Sequence, residues 1–122
     1  MGGCYAAAMD IRVVEGTISL DELKEVAKEF YQTMIKGAVD IEKGIVAFGG
    51  EYHIDAANLL GEYGSDHARV WGFNIRFDKP RDAWLEYTAM INIKPGVGNR
   101  NVMITDETLR DAIRKVVDAK IV

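Results

Sequence analysis

The residue types best suited to chemistry are concentrated in one short stretch, where Glu51, His53 and Asp55 occupy alternate positions. If this stretch is extended, the three side chains project from one face at intervals of about 6.5 to 7 Å. An imidazole among carboxylates can act in general acid–base catalysis or bind a divalent metal, with His53 and Asp55 as the ligands. His-x-Asp is not diagnostic of a metal site, and Asp55 is equally suited to capping a helix. The sequence therefore predicts a polar site here and leaves its chemistry open.

Polar residues inside predicted strands supply further candidates. Asn74 and Asn92 each interrupt a strand pattern, although asparagine is unfavourable in strands on propensity alone. Placed on adjacent strands, the two amides either line a pocket or hydrogen-bond to nearby loops. The glycine-rich segment 95–100 could bring backbone amides and Arg100 to an anion, but it matches neither phosphate-binding fingerprint. The predicted binding residues are therefore Glu51, His53, Asp55, Trp71, Asn74, Asn92 and Arg100.

The first elements able to position these residues are a short strand over 11–14 and an amphipathic helix. Ser19 and Glu22 form a capping-box pattern that begins the helix. Apolar residues then recur at three- and four-residue spacing from Leu20 to Met34, while the intervening positions are charged. Gly37 is the predicted stop, since glycine commonly follows a helix end.

Alternation of polar and apolar residues then predicts two hairpins. The first hairpin covers residues 38–48, and an extended segment over 51–54 follows it. A short helix then begins at Asp55 and ends at Gly64. Strands over 68–77 and 84–94 pair around Pro80 as the second hairpin, and a last helix begins at Thr105. In the loop before that helix, Gly96 or Gly98 is expected to adopt positive φ.

The resulting order is β-α-ββ-α-ββ-α, with helices alternating with hairpins rather than with single strands. It predicts an α+β fold with a mainly antiparallel sheet, two longer amphipathic helices and one short helix, and it disfavours a doubly wound nucleotide fold. Residues 9–122 read as a single domain. Residues 1–8 carry no periodicity or capping signal and are predicted to be a disordered or non-native extension.

Composition narrows the class of protein further. The formal charge is −4, the pI is about 5.1 and the basic residues are scattered, which argues against nucleic-acid binding. No apolar run approaches the roughly 18 residues of a membrane span. The single Cys4 cannot form a disulfide framework and fits a reducing cytoplasm.

Several short motifs of the chain match, in the same order, the sequence pattern of a known family. Residues 49–55 read Gly-Gly-Glu-Tyr-His-Ile-Asp, residues 71–74 read Trp-Gly-Phe-Asn, and Ile-Asn-Ile-Lys-Pro is followed by Gly-Asn-Arg at 98–100. Over about residues 10 to 121 the chain resembles a family of small uncharacterised prokaryotic domains of unknown function. Tyr52 and Ile54 depart from it, because that family has Leu and Ala there. The resemblance implies a prokaryotic, intracellular single domain and carries no catalytic residue.

Two functional hypotheses from different classes fit these observations. The first is a small cytoplasmic module that binds a small molecule or protein partner at the polar site around Glu51, His53 and Asp55. The alternative is a small metal-dependent or acid–base hydrolase in which His53 works with neighbouring carboxylates, including Asp66. Convergence of His53 with two carboxylates in a cleft would favour the hydrolase. The sequence leaves the ligand, any divalent metal and homo-oligomer formation open.

Overall fold

A computed structural model describes residues 9–122, in which three helices surround a five-stranded antiparallel sheet. The strands are β1 (Arg12–Val14), β2 (Met34–Asp40), β3 (Ile45–Phe48), β4 (Val70–Arg76) and β5 (Leu85–Glu86). The helices are α1 (Leu20–Ala27), α2 (His53–Glu62) and α3 (Glu107–Lys120). The α+β class and the predicted order of elements are confirmed. The prediction for residues 1–8 lies outside the described residues.

The strands lie in the order β1-β3-β2-β4-β5. Strands β2 and β4 pair along their whole length, from Met34 opposite Arg76 to Asp40 opposite Val70. Strand β5 pairs with β4 only through Leu85 and Glu86, so the sheet is narrow at that edge. None of the helices within residues 9–122 is both long and apolar enough to span a bilayer.

The two faces of the sheet are covered by cores of different composition, because successive side chains of a strand point to opposite faces. We call the first the large-residue core; α1 and α3 cover it, and it includes Leu23, Ile35, Phe48, Phe73, Ile75, Ile113 and Val117. We call the second the small-residue core; α2 covers it, and it comprises Ala38, Ile45, Ala47, Ala56, Ala57, Leu60 and Val70.

The predicted first helix is too long. Ser19 caps it as expected, since its hydroxyl accepts from the Glu22 amide at 3.1 Å, but α1 ends at Ala27. Lys28 is its C-cap, and turns follow that include Gln32, whose φ is positive at 62° and whose N–H donates to the Ala27 carbonyl at 3.1 Å. Gly37 is not a helix stop: it lies in β2, where an added Cβ would overlap the Phe73 ring. Full pairing of β2 with β4 overrides the helical periodicity of residues 28–34.

Three other boundaries differ from the sequence predictions. Residues 51–55 are not extended, because α2 begins at His53 with Tyr52 as its N-cap. The strand predicted over 84–94 is confined to Leu85–Glu86, and a turn occupies Met90–Asn92. The last helix is capped by Asp106 and not by Thr105, since the Asp106 carboxylate accepts from the Thr108 and Leu109 amides. The loop prediction is confirmed at Gly98, where φ is 94°.

Candidate functional site

His53 is brought to the sheet by the first turn of α2. The helix packs on alanines of the small-residue core, and Gly72 leaves room for the imidazole on β4. A Cβ added at Gly72 would lie 3.2 Å from Cδ2 of His53 and 2.5 Å from Cβ of Ala89. Small residues on both elements therefore allow a close approach that larger side chains would prevent.

The hydrogen bonds of Asn74 fix the protonation of the His53 ring. Nδ2 of Asn74 donates to a carboxylate oxygen of Glu86 at 3.3 Å and to the carbonyl of Thr88 at 3.2 Å. Its Oδ1 must then face His53 and accept from Nε2 at 2.7 Å, and the carbonyl of Phe73 lies 3.1 Å from the same nitrogen. Two acceptors at Nε2 require that this nitrogen carry the proton. In the neutral ring, Nδ1 is consequently the hydrogen-bond acceptor.

The surroundings of His53 favour this neutral form. Burial is the largest effect and lowers the pKa of the imidazole below its ordinary value of 6.5, and the charge of Lys36 lowers it further. The hydrogen bonds to Asn74 and Phe73 act in the opposite direction. No group in residues 9–122 donates to Nδ1, and no buried side-chain nitrogen or oxygen in that range lacks a partner. Among the described residues, Nδ1 is therefore the ring nitrogen without a hydrogen-bond partner.

A polar row crosses three strands of the sheet beside this histidine. Lys36 of β2 lies opposite Asn74 of β4, and Asn74 lies opposite Glu86 of β5. Glu86 also pairs with Arg76, with Nε of the guanidinium 3.1 Å from the carboxylate. The row thus ends in an ion pair on one side and in the ammonium of Lys36 on the other.

Lys36 has aromatic neighbours rather than an acidic one. Its Nζ lies 4.9 Å from the ring centroid of Tyr31 and 5.6 Å from that of Tyr52, and it forms no salt bridge within residues 9–122. Residues 1–8 contain no aspartate or glutamate. The Tyr31 hydroxyl donates to the carbonyl of Glu51, which holds the start of α2 against the end of α1. A half-buried ammonium that pairs with no carboxylate of residues 9–122 thus lies close enough to the His53 ring to lower its pKa.

Comparison with known proteins identifies the relatives of this chain. A family model described as "Protein of unknown function (DUF5674)" matches residues 12–120, which is nearly the whole chain. The chain belongs to this family. No curated protein and no solved structure gives a significant match to it. Membership confirms the resemblance seen in the sequence and assigns no activity, so the chemistry of this DUF5674 domain must be argued from its own residues.

The predicted row of Glu51, His53 and Asp55 does not form in the DUF5674 domain. Because the helix begins at His53, successive residues turn around its axis instead of alternating across a strand. Asp55 accepts from the Tyr52 amide at 2.8 Å as the third residue of the helix, so it supports the cap from inside. The Glu51 side chain is exposed, and only its carbonyl takes part in the contact with Tyr31.

The other predicted site residues are separated from His53. Trp71 points to the large-residue core, on the opposite face of β4 from Asn74. Asn92 is fully buried and its amide pairs with the backbone of Gly72, accepting from the N–H at 2.7 Å and donating to the C=O at 3.0 Å. Arg100 is exposed and its side chain bonds to no residue of the described range. Of the four predicted residues Trp71, Asn74, Asn92 and Arg100, Asn74 alone hydrogen-bonds to His53.

The hydrogen-bond partners of the His53 ring in the described residues include no carboxylate. Within residues 9–122, no three side chains of His, Cys, Asp or Glu come together in a way that could hold a metal ion. His53 and Asp55, the two residues predicted as metal ligands, each hydrogen-bond within the protein, His53 through Nε2 and Asp55 through its carboxylate. Asp66 accepts from the Ala68 amide at 3.0 Å and begins a short 3-10 turn.

Sequence reasoning missed three residues of the polar row: Lys36, Arg76 and Glu86. A signal existed for Glu86, because a hairpin that turns at Pro80 places residue 86 opposite Asn74. Lys36 had no such signal, since the residues before it continue the periodicity of a helix. Only the pairing of β2 with β4 places Lys36 beside Asn74.

Proposed function

We propose that this DUF5674 domain is a cytoplasmic binding module for a small polar molecule, held at the start of α2 by His53 and Lys36. The observation that supports it is the fixed tautomer of His53. Asn74 uses the proton of Nε2, so Nδ1 offers a lone pair to a ligand. The single cysteine of the chain is consistent with a cytoplasmic location.

The chemistry of the ligand follows from the two groups that remain available. Nδ1 of His53 requires a hydrogen-bond donor such as a hydroxyl, and the ammonium of Lys36 favours an anionic oxygen. Tyr31 and Tyr52 flank that ammonium and replace part of its water, which strengthens its attraction to an anion. A small hydroxylated carboxylate satisfies both groups at once.

The binding role is favoured over the hydrolase alternative because no carboxylate contacts the His53 ring. Its two hydrogen-bond partners are an amide oxygen and a backbone carbonyl, which orient the imidazole without activating a nucleophile. The nearest acid in the row, Glu86, bonds to the far side of Asn74 and pairs with Arg76. The hydrogen bonds to Asn74 and Phe73 thus orient the His53 ring for binding a ligand, which is the role proposed for it.

The test is a titration of the protein with glycolate, which carries a hydroxyl and a carboxylate, followed by amide and imidazole nuclear magnetic resonance. We expect glycolate to shift the resonances of Lys36 and His53. Acetate lacks the hydroxyl and ethylene glycol lacks the charge, so each should bind more weakly. The imidazole nitrogen shifts of the free protein should report a proton on Nε2 and none on Nδ1.

Matched variants localise the effect. Lys36→Gln and His53→Gln should each abolish the glycolate response, whereas Lys43→Gln removes a charge from an exposed turn and should leave it unchanged. A proton on Nδ1 in the free protein, or a glycolate response that survives both substitutions, would contradict the proposal.

A further inference from the structure

A cavity lies on the other side of the sheet, between β5 and α3. Its volume is about 660 Å³, within the range of roughly 300–1,000 Å³ that small-molecule sites occupy. None of the residues around it belongs to the pair of His53 and Lys36. The lining combines an apolar floor with a charged rim. Three arginines and two aspartates form the rim: Arg81, Arg110, Arg114, Asp82 and Asp118.

The floor of this cavity is the outer surface of the large-residue core. Trp84 and Val117 are buried there, and Leu85 and Tyr87 pack against them while remaining partly accessible. Apolar surface of this kind binds the hydrocarbon part of a ligand, since covering it removes it from water.

Arg110 supplies a guanidinium that is free of acidic partners. Its Cζ lies 4.6 Å from the ring centroid of Tyr87, and it forms no salt bridge with any residue in 9–122. Arg114, one turn further along α3, pairs with Asp111 at 2.9 Å, but both side chains are more than half exposed. An exposed pair of this kind contributes little and exchanges readily for another anion.

Arg81, the third arginine of the cavity, is already engaged in the fold. Its Nε donates to the Asp118 carboxylate at 2.9 Å, and the same guanidinium donates to the carbonyls of Asp118 and Ile121 at the end of α3. Arg81 therefore has a structural role. Arg110 differs from it, because none of the five N–H donors of Arg110 binds a carboxylate of residues 9–122.

Tyr87 adds a neutral donor beside Arg110. Its ring is half-buried, and burial raises the pKa of the phenol above its ordinary value although the neighbouring arginines act against this. The hydroxyl therefore keeps its proton at neutral pH and can donate to an anionic oxygen.

We propose that this cavity binds a small organic carboxylate with an apolar body. The carboxylate would pair with the forked donors of Arg110, assisted by Tyr87 and Arg114, and the body would cover Leu85 and Val117. Arginine suits this role because its planar fork matches both oxygens of a carboxylate. An inorganic anion would bind the arginines of the rim and leave the apolar floor uncovered. A neutral apolar molecule would cover the floor and form no ion pair with the rim.

Calorimetric titration with 4-phenylbutyrate tests the proposal, with 4-phenylbutanamide and inorganic phosphate as the two partial ligands. We expect 4-phenylbutyrate to bind saturably and at least about tenfold more tightly than either control. The amide lacks the hydrogen-bonded ion pair with Arg110, and phosphate lacks the apolar body. Amide resonances of Tyr87, Arg110 and Val117 should shift. Equal affinity for the amide, or no saturable binding of 4-phenylbutyrate, would overturn the proposal.

Variants separate this cavity from the site at His53. Arg110→Gln should weaken 4-phenylbutyrate about tenfold or more, and Arg110→Lys should do so less, since it keeps the charge and loses the fork. Arg69→Gln, which removes an exposed arginine paired with Glu42, is the matched control and should have no effect. If Arg110→Gln does not fold, Arg114→Gln and Arg110→Lys carry the test. Unchanged affinity in these variants would place the ligand elsewhere, whatever glycolate does at His53.

Discussion

The two faces of the sheet hold their helices in different ways. On the large-residue core, α1 and α3 bury branched and aromatic side chains such as Leu23, Phe73 and Ile113, which are fully inaccessible. On the small-residue core, α2 packs through Ala56, Ala57 and Leu60. Alanine and glycine remove little apolar area from water, so each such contact stabilises the fold less than one with Leu or Phe.

The difference shows what the small residues make possible. Because Gly72 has no side chain, the His53 ring reaches the backbone of β4 and bonds to both Phe73 and Asn74. Directional hydrogen bonds thus supplement weak apolar packing on the face that carries the candidate site. Strong apolar packing fixes the fold on the other face, where the polar groups are confined to the rim of the cavity beside α3.

The largest expected effect is a loss of stability on substitution in the large-residue core. Ile113→Ala removes a fully buried side chain from the middle of α3 and should lower the free energy of unfolding by about 2–5 kcal/mol. Chemical denaturation followed by circular dichroism measures the loss. Lys115→Ala, two residues along the same helix and exposed, is the control and should stay within about 0.5 kcal/mol of the parent. A near-neutral Ile113→Ala would mean that α3 does not anchor this face.

The second-largest loss of stability is expected from breaking a polar contact at the edge of β4. The Asn92 amide takes the place of a neighbouring strand by pairing with the N–H and C=O of Gly72, beyond the point where β5 ends. Asn92→Ala leaves both buried groups without partners and should cost about 1–3 kcal/mol. Asn58→Ala changes the same residue type on the exposed side of α2 and should be close to neutral. Equal stability of the two variants would contradict the pairing role.

Gly72→Ala tests whether close packing matters on the small-residue face. The added methyl would meet Cβ of Ala89 at 2.5 Å and Cγ1 of Ile91 at 3.1 Å, so the turn after β5 and the His53 ring must move. Overpacking of this size should cost about 1–3 kcal/mol, toward the lower end for a single methyl. Gly96→Ala is the comparison, because a Cβ there meets nothing within 4 Å. If both changes were tolerated equally, the approach of α2 to β4 would not depend on Gly72.

The large-residue face could be predicted from the sequence because its signals are local. Alternation in β4 places Trp71, Phe73 and Ile75 on one side, and the three- and four-residue spacing in α3 identifies Ile113 and Val117 as buried. Ser19 caps α1 as its pattern indicates. These features need no knowledge of how the chain folds back on itself.

The candidate site could be predicted only in part, because it depends on register and on one helix boundary. His53 and Asn74 stood out by residue type, but the partnership between them requires α2 to start two residues before Asp55. Lys36 joins them only when residues 34–40 form a strand, and that follows from pairing with β4 rather than from local propensity. Residue types therefore suggested a polar site, and long-range pairing decides its composition.

The smallest expected effect is the pH dependence that His53 adds to stability. Burial and Lys36 lower the pKa of the folded-state imidazole, whereas the unfolded chain takes up a proton near the ordinary value of 6.5. Well above pH 6.5 both states are neutral and His53 contributes no slope. As the pH falls below 6.5, the unfolded state binds more protons, so the free energy of unfolding decreases until the folded ring is also protonated.

His53→Gln removes this titration while keeping a donor for Asn74, so the stability of the variant should fall less than that of the parent between pH 7 and pH 5. Urea denaturation at several pH values measures the difference, and carboxylates that titrate in both proteins cancel in the comparison. His67→Gln, at the only other histidine of the chain, controls for the general loss of an imidazole. Parallel stability curves for the parent and His53→Gln would show that the ring is not held in its neutral form, and the argument for Nδ1 as the ligand's acceptor would fail with it.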